Sequence, residues 1–222
     1  VAAAPSAPAS VLLELADAPH GRVWARSELT LPAGRAEMPF SLGPVDILVT
    51  NTGGPKACTF DGLTDADWEA GVASTLLNVV RLSRLVLPEM KASGWGRIVH
   101  ITSLVAKQPL PLLTISSTLR AGLSGLTRTL ALETAPSGIT VNALLPGHIL
   151  TDRQHHLGRI KAQAEGISLE EALAATAATI PMGRIGSPEE IGAAIAFLCS
   201  RPAAYITGQS LLVDGGLVQG TF

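Results

Sequence analysis

The 222-residue sequence has little charge and few cysteines, and these shortages exclude several classes of protein. Only 15% of its residues are charged, and 16 Lys and Arg against 18 Asp and Glu give a net charge of −2. Nucleic-acid binding needs a basic excess to attract phosphates, so no nucleic-acid partner is expected. Two isolated cysteines, Cys58 and Cys199, match neither a disulfide framework nor a zinc cluster. No metal site is expected.

Long uncharged apolar runs are also missing. Charged residues interrupt every apolar stretch before it reaches the roughly 18 residues of a membrane span, so no membrane segment is expected. The opening VAAAPSAPASVLL has no basic region ahead of its apolar residues, which argues against a secretory signal and for a cytoplasmic protein. With 47% hydrophobic residues and so few charges, some apolar surface should meet another subunit, which predicts a homo-oligomer.

From about residue 44 the chain alternates short β-branched runs with helical patterns, which predicts an α/β protein with a parallel sheet covered by helices. Strands are predicted at 45–50, 97–103, 139–145 and 209–213, and helices at about 64–90 (ending near Pro88), 115–135 and from 188. Three helix starts carry a polar cap with an acid three residues on: Thr64 with Asp67, Ser168 with Glu171, and Ser187 with Glu190. The length fits a single domain.

Two segments stand apart from this pattern. The polar stretch from about 148 to 186 contains several possible helical turns with weak starts and is interpreted as a mobile flap. Residues 1–43 contain neither a repeat nor a glycine-rich strand-to-helix turn and are left unassigned, while 44–222 form the predicted domain.

Six motifs in order resemble the short-chain dehydrogenase/reductase family. They are DILVTNTGG at 46–54, GRIVHITS at 96–103, LSGLTRTLALE at 123–133, PGHILT at 146–151, GRIGSPEE at 183–190 and YITGQSLLVDGG at 205–216. The resemblance covers about residues 44–220 and implies a Rossmann-like, doubly wound parallel sheet that binds NAD or NADP. It also implies an oxidoreductase that acts on a small carbonyl or alcohol, usually as a homotetramer.

The carboxyl ends of the predicted strands are where such a sheet binds ligands. On this ground and by the resemblance, nicotinamide-side contacts are expected from residues that follow the strands: Asn51, Gly53, Pro146, Gly147, Ile149 and Thr151. The family's first strand is followed by a glycine-rich turn that binds the pyrophosphate. Residues 1–43 lack it, so the N-terminal portion is expected to be atypical or truncated, with impaired cofactor affinity.

The resemblance implies a catalytic set of Asn, Ser, Tyr and Lys, of which this sequence keeps one member. Ser103 stands at the serine position. Thr75 replaces the asparagine, Ser116 the tyrosine and Arg120 the lysine. Since Ser116 and Arg120 are four residues apart on a predicted helix, both can face one cleft.

These replacements change the chemistry. A serine alcohol is a far weaker acid than a phenol of pKa about 10, so Ser116 is a poor general acid. Arg120 can bind ribose hydroxyls or an anion but does not shuttle protons. Tyr205, the sole tyrosine, is expected to be structural, and His148 is the first alternative proton donor.

Three functions remain open at this point. The first is a short-chain oxidoreductase of weak activity. The second is a non-catalytic family member that serves as a binding or assembly module, favoured by the loss of the tyrosine and of the glycine-rich turn. The third is an enzyme like the halohydrin dehalogenases, which the resemblance associates with Ser, Tyr and Arg and with the absence of that turn. Arg120 matches this set, but the tyrosine is again missing.

Overall fold

The computed structural model describes residues 9–17, 22–31 and 45–221. In the first two stretches, β1 (Ala9–Asp17) and β2 (Arg22–Leu31) pair antiparallel as a two-stranded sheet. Residues 1–8, 18–21, 32–44 and 222 lie outside the described residues, and they include the rest of the segment 1–43 that the sequence leaves unassigned. The boundary at residue 43 therefore stays a prediction.

The main sheet consists of four parallel strands in the order β3 (Ile47–Asn51), β4 (Gly96–Ile101), β5 (Ile139–Pro146) and β6 (Ser210–Val213). β4 and β5 are buried along nearly their whole length. Burial on both faces explains why their sequences are rich in apolar residues instead of alternating strictly between apolar and polar.

Helices connect the strands, as parallel pairing requires. After β3 come α1 (Asp65–Gly71), a π-helical turn (Val72–Leu77) and α2 (Asn78–Ser93). After β4 comes α3 (Thr114–Thr134), and between β5 and β6 lie α4 (Asp152–Glu165), α5 (Leu169–Ala178) and α6 (Pro188–Cys199).

The core has two halves, one on each face of the sheet. Ile98 of β4 packs in a cluster with Met90 of α2 and Ala131 of α3. The next residue, Val99, packs in a second cluster with Leu198 of α6. Because successive strand residues point to opposite faces, helices cover both sides of the sheet. The predicted doubly wound α/β architecture is confirmed.

The helix starts agree with the sequence, but one helix end does not. All three expected capping boxes are present, at Thr64, Ser168 and Ser187. The prediction that the helix after β3 ends near Pro88 is wrong, because α2 continues to Ser93. A proline removes a single N–H donor, and Gly94, in the left-handed region at φ 68, is the residue that ends the helix.

The same helical run, residues 65–93, is long and apolar enough to cross a membrane by length and composition alone. The sequence prediction of no membrane segment did not anticipate this. Val79, Val86 and Met90 of the run are almost completely buried, so these residues pack in the core, and 28% of the apolar window is buried within the protein.

The segment predicted as a flap, 148–186, carries α4 and α5. Its two ends are tied together at the end of β5, where the N–H of Leu150 donates to the Gly186 carbonyl (2.8 Å) and the N–H of Gly186 donates to the His148 carbonyl (3.0 Å). Both ends of the segment therefore lie side by side just beyond the carboxyl end of β5. Its mobility stays a prediction.

Candidate active site

Arg120 of α3 is the centre of a polar cluster at the carboxyl ends of β3 and β4. Its side chain is buried, with 6% of the residue exposed. Nη1 donates to the carbonyl oxygens of Thr102 (2.7 Å) and Ile101 (3.4 Å), and Nη2 donates to those of Thr52 (3.5 Å) and Gly53 (3.4 Å). Arg120 therefore ties the loop after β3 to the end of β4.

One serine contacts this guanidinium, and a second follows the strand end to which the guanidinium donates. Nε of Arg120 donates to Oγ of Ser116, one helical turn earlier on α3 (3.3 Å), which leaves the Ser116 O–H free to donate elsewhere. Ser103 follows β4, and its Oγ accepts the Val105 N–H (3.4 Å), which caps the short turn Leu104–Ala106. The structure thus brings Ser116 and Arg120 into contact and places Ser103 next to a strand end that Arg120 binds.

The environment of Arg120 disfavours its positive charge. Burial and, to a smaller extent, the positive charge of Arg153 lower the pKa of Arg120 to about 10. The group is therefore protonated at neutral pH, where it can stabilise negative charge but does not exchange protons.

Arg153 is a candidate that sequence reasoning missed. It is the second residue of α4 and is exposed, and its guanidinium lies against Gly54, where an added Cβ would be 2.5 Å from Nη1. The only signal in the sequence is its place two residues after Thr151, within the segment that leaves the end of β5. No motif marks it.

Thr75, the residue at the family's asparagine position, lies in the π-helical turn between α1 and α2. It is completely buried, and its Oγ1 has no hydrogen-bond partner among the described residues. The turn packs against α3, the helix that carries Ser116. No contact joins Thr75 to Ser116 in the described hydrogen bonds, so a catalytic part for Thr75 stays a prediction.

The loop after β3 fits one edge of a nicotinamide cofactor. A Cβ added at Gly53 would meet no atom within 4 Å, and the backbone there is outside the left-handed region, so neither packing nor conformation requires a glycine. A ligand that approaches the backbone closely would require one. Asn51, at the end of β3, is exposed beside it and can offer polar groups.

Among the expected cofactor residues at the end of β5 and after it, one is explained by packing and three present surface to a ligand. Gly147 is explained by packing, since a Cβ there would lie 2.7 Å from the Cα of Asp214. Pro146 and Ile149 are half-buried and Thr151 is exposed, so these three present surface at the same end of the sheet. The residues present fit the nicotinamide half of a dinucleotide. A glycine-rich turn for its pyrophosphate is not found in the described part of the chain.

The other proton donors considered from the sequence lie elsewhere. Tyr205 is fully exposed and makes no contact with the Arg120 cluster in the described hydrogen bonds. His148 is half-buried, with Nδ1 3.3 Å from Oε1 of Gln154. Neither residue is hydrogen-bonded to Ser103 or Ser116.

His148 instead lines a cavity of about 310 Å³ at the carboxyl ends of β5 and β6. Arg184 and Glu190, an ion pair with 2.6 Å between Nη2 and Oε1, form part of the wall. The cavity shares Ile149 with the expected cofactor residues and contains none of the serines of the Arg120 cluster.

Comparisons with known proteins agree with this geometry. Residues 27–218 match the family model described as enoyl-(acyl carrier protein) reductase. The chain is 38% identical over 182 residues to nodulation protein G of Azospirillum brasilense. These aligned residues cover 82% of this chain and 70% of that protein. The chain is 37% identical over 179 residues to the acetoacetyl-CoA reductase of Cupriavidus necator, with 81% and 68% covered.

Two solved structures are similar in fold as well as in sequence. An actinorhodin polyketide ketoreductase with NADPH has a TM-score of 0.75 and 37% identity, and L-sorbose reductase from Gluconobacter frateurii, with NADPH and L-sorbose, has 0.77 and 34%. Each match covers 81% of this chain and 69% of the other. The matching sheet, the six motifs and these relatives show that the chain belongs to the short-chain dehydrogenase/reductase family of NAD(P)-dependent oxidoreductases.

Proposed function

We propose that this chain is a slow reductase of a small carbonyl compound, with Ser103, Ser116 and Arg120 at its catalytic centre. The observation that carries the proposal is the contact between Arg120 and Ser116 at the carboxyl ends of β3 and β4, next to the open backbone at Gly53. The sorbose reductase and ketoreductase relatives, both solved with NADPH, support NADPH as the first cofactor to test.

The serines hold the substrate oxygen in this proposal. The O–H of Ser116 donates to the carbonyl oxygen, because its Oγ is already the acceptor of the Arg120 Nε–H. Ser103, at the end of β4, offers a second hydroxyl. The cationic Arg120 stabilises the negative charge that develops on the oxygen, and this effect is strong where burial excludes water.

Asn51, Gly53, Pro146, Ile149 and Thr151 would hold the nicotinamide cofactor, which supplies the hydride when bound. Gly147 contributes through the packing of β5 against the segment after β6. The proton comes from water, since no described side chain hydrogen-bonded to Ser116 is a general acid at neutral pH.

Because Ser116 replaces the family's tyrosine, no phenol is available as the general acid, and this limits the expected rate of carbonyl reduction. General acid–base catalysis contributes about 10²–10⁴-fold, which corresponds to about 3–5 kcal/mol of barrier. Turnover is therefore expected well below the common enzymatic range of about 1–10³ per second.

The test is deuteride transfer from 4-deuterated NADPH to a small ketone, followed by mass spectrometry. Slow, stereospecific incorporation is expected from the native chain. The double variant Ser116→Tyr, Arg120→Lys should be faster. The control Arg128→Lys, at an exposed position two turns further along α3, makes the same arginine-to-lysine change away from the site and should not change the rate.

A second function is a non-catalytic binding or assembly module. It is favoured by the donor groups of Arg120, whose hydrogen bonds all go to backbone carbonyls and to Ser116. The absence of deuterium incorporation in both the native chain and the double variant, with NADPH shown to bind, would favour this function over the reductase.

We further propose a homotetramer that assembles through α2 and α3. An apolar groove of about 490 Å³ runs between these helices and includes Leu87, Leu126 and Leu130, while Leu85 and Leu132 are exposed nearby. Light scattering at micromolar concentration should show a species four times the 22.9 kDa chain mass, and a monomer would contradict the proposal.

A cytoplasmic location is supported by two free thiols, Cys58 and Cys199, and is checked by cell fractionation.

A further inference from the structure

Leu112 adopts a backbone conformation that its residue type disfavours. It lies in the loop between β4 and α3, and at φ 66 it is the one residue other than glycine with a positive φ in the described part of the chain. A residue with a Cβ is strained in this left-handed region, whereas glycine adopts it freely. The leucine therefore costs stability at a position that a glycine would occupy without strain.

The hydrogen bonds of this loop explain the conformation of Leu112 but not its side chain. The carbonyl of Leu112 accepts the Cys58 N–H (2.9 Å), and the N–H of Leu113 donates to the Leu110 carbonyl (3.2 Å). A glycine at 112 would keep both bonds, because they use backbone groups alone. Leu112 is also 51% exposed, so packing within the protein does not require a leucine. Strained residues of this kind are concentrated at active sites and ligand-binding segments.

The place of Leu112 in the chain puts it next to the proposed catalytic centre. It precedes Ser116 by four residues, and Ser116 lies in the first turn of α3. The hydrogen bond from Cys58 also ties Leu112 to the loop after β3, and Arg120 binds the start of that same loop. The strained leucine is thus fixed between the two segments that the contact of Arg120 with Ser116 joins.

The surface around Leu112 is apolar. Pro111 is exposed beside it, and Phe60, two residues after Cys58, is 71% exposed. No Asp, Glu, Lys or Arg occurs from 108 to 119, so this stretch offers no charged side chain to a polar ligand. Contact with an alkyl or aromatic group removes apolar surface from water on both partners, which favours binding.

We propose that Leu112 is a specificity-determining residue that binds the apolar substituent of the carbonyl substrate. The inference rests on the proposed function and deepens it, because it names the substrate class: a ketone that carries an alkyl chain or an aromatic ring, in preference to a sugar or another polyol. Ser103 and Ser116 hold the carbonyl oxygen, and the strained backbone fixes the leucine beside the substituent. The protein thus gives up stability and gains affinity for one class of ketone.

Steady-state kinetics of the full chain with NADPH test this role, with 2-heptanone as the apolar ketone and dihydroxyacetone as the polar one. Leu112→Ala removes the side chain beyond Cβ and keeps the strain, whereas Leu112→Gly removes both. The matched control is Leu211→Ala, at an exposed position of β6. KM and kcat are measured separately, and urea unfolding gives the stability of each variant. Because the chemical step is slow in this chain, KM approximates the dissociation constant of the ketone.

The native chain should have a lower KM for 2-heptanone than for dihydroxyacetone. Leu112→Ala and Leu112→Gly should raise the KM for 2-heptanone about fivefold to tenfold, the loss expected for most of one leucine contact, and kcat should stay within about twofold. The KM for dihydroxyacetone should not change, and Leu211→Ala should behave as the native chain with both ketones. Leu112→Gly should also resist urea better than Leu112→Ala, since it alone relieves the strain.

An unchanged KM for 2-heptanone in both Leu112 variants would overturn the proposal and leave the proposed function intact. An equal rise for both ketones would also overturn it, because the leucine would then act only on the shape of the loop. A lower native KM for dihydroxyacetone than for 2-heptanone would refute the substrate class.

If the native chain reduces neither ketone, the proposed function fails, and binding of 2-heptanone measured by saturation-transfer NMR decides the role of Leu112. Binding that Leu112→Ala weakens and Leu211→Ala preserves would support a contact with the apolar group. No binding by the native chain, or equal binding by all three proteins, would refute it.

Discussion

His100 should make the stability of the fold sensitive to mild acid. It lies on β4, is completely buried, and bridges two helices: Nε2 is 3.1 Å from Oγ of Ser83 on α2, and Nδ1 is 2.9 Å from Oγ1 of Thr127 on α3. Thr127 donates its own hydrogen to the Leu123 carbonyl (2.8 Å). The Thr127 oxygen therefore accepts from Nδ1–H, and Nε2 accepts from Ser83.

Protonation of this ring is costly. Burial lowers the pKa of His100 from 6.5 to about 4, and a proton on Nε2 would also face the Ser83 hydroxyl that now donates to it. Since the unfolded chain binds the proton at higher pH than the fold does, the stability is fully present above pH 6.5 and falls as the pH drops toward 4. At about 1.4 kcal/mol per pKa unit, the loss is about 2 kcal/mol by pH 5 and about 3 kcal/mol in total.

Urea unfolding between pH 7.5 and pH 4.5 measures this effect in the native chain and in His100→Gln. The glutamine cannot titrate, so the variant's free energy of unfolding should fall by about 2 kcal/mol less between pH 7.5 and pH 5. His156→Gln, at an exposed position of α4, is the control and should behave as the native chain. An equal fall in the native chain and in His100→Gln would refute the assignment.

Further predictions concern the backbone. Gly147→Ala should lower the free energy of unfolding by about 1–3 kcal/mol in a urea titration, because its Cβ would meet the Asp214 backbone. Gly53→Ala should change this free energy by less than about 0.5 kcal/mol and should weaken NADPH binding, which fluorescence measures. Leu112, at φ 66, is strained, so Leu112→Gly should raise the unfolding free energy by up to about 1 kcal/mol in the same titration. Amide hydrogen exchange should be faster in 148–186 than in β4 and β5, and slower exchange there would contradict a mobile flap.

The fold could be predicted from the sequence where the signal is local. Buried strands appear as short apolar runs, and each capping box needs only two residues three positions apart, as at Ser187 and Glu190. The sequence places the end of α2 too early, because Pro88 is tolerated within the helix and Gly94 ends it.

The candidate site could be predicted only in part, because it depends on contacts between distant segments. The spacing of Ser116 and Arg120 correctly predicts that they share a face of α3, and their hydrogen bond bears this out. The carbonyls that Arg120 binds are 18 to 68 residues away in the chain, so no pattern reveals them. Arg153 reaches Gly54 through the path of the chain after β5, which the sequence does not display.

The hydrogen bonds of Arg120 also constrain the order in which this site can change during evolution. A lysine has three N–H groups on one atom, whereas the guanidinium donates from two nitrogens to carbonyls of the β3 loop and of the end of β4. Arg120→Lys alone would therefore loosen the join between the β3 loop and β4 before any phenol is present to use the ammonium. Ser116→Tyr alone would remove the hydroxyl that accepts the Nε–H. Each single step would lose a contact and only the pair would gain activity, so we expect substitutions at positions 116 and 120 to be epistatic.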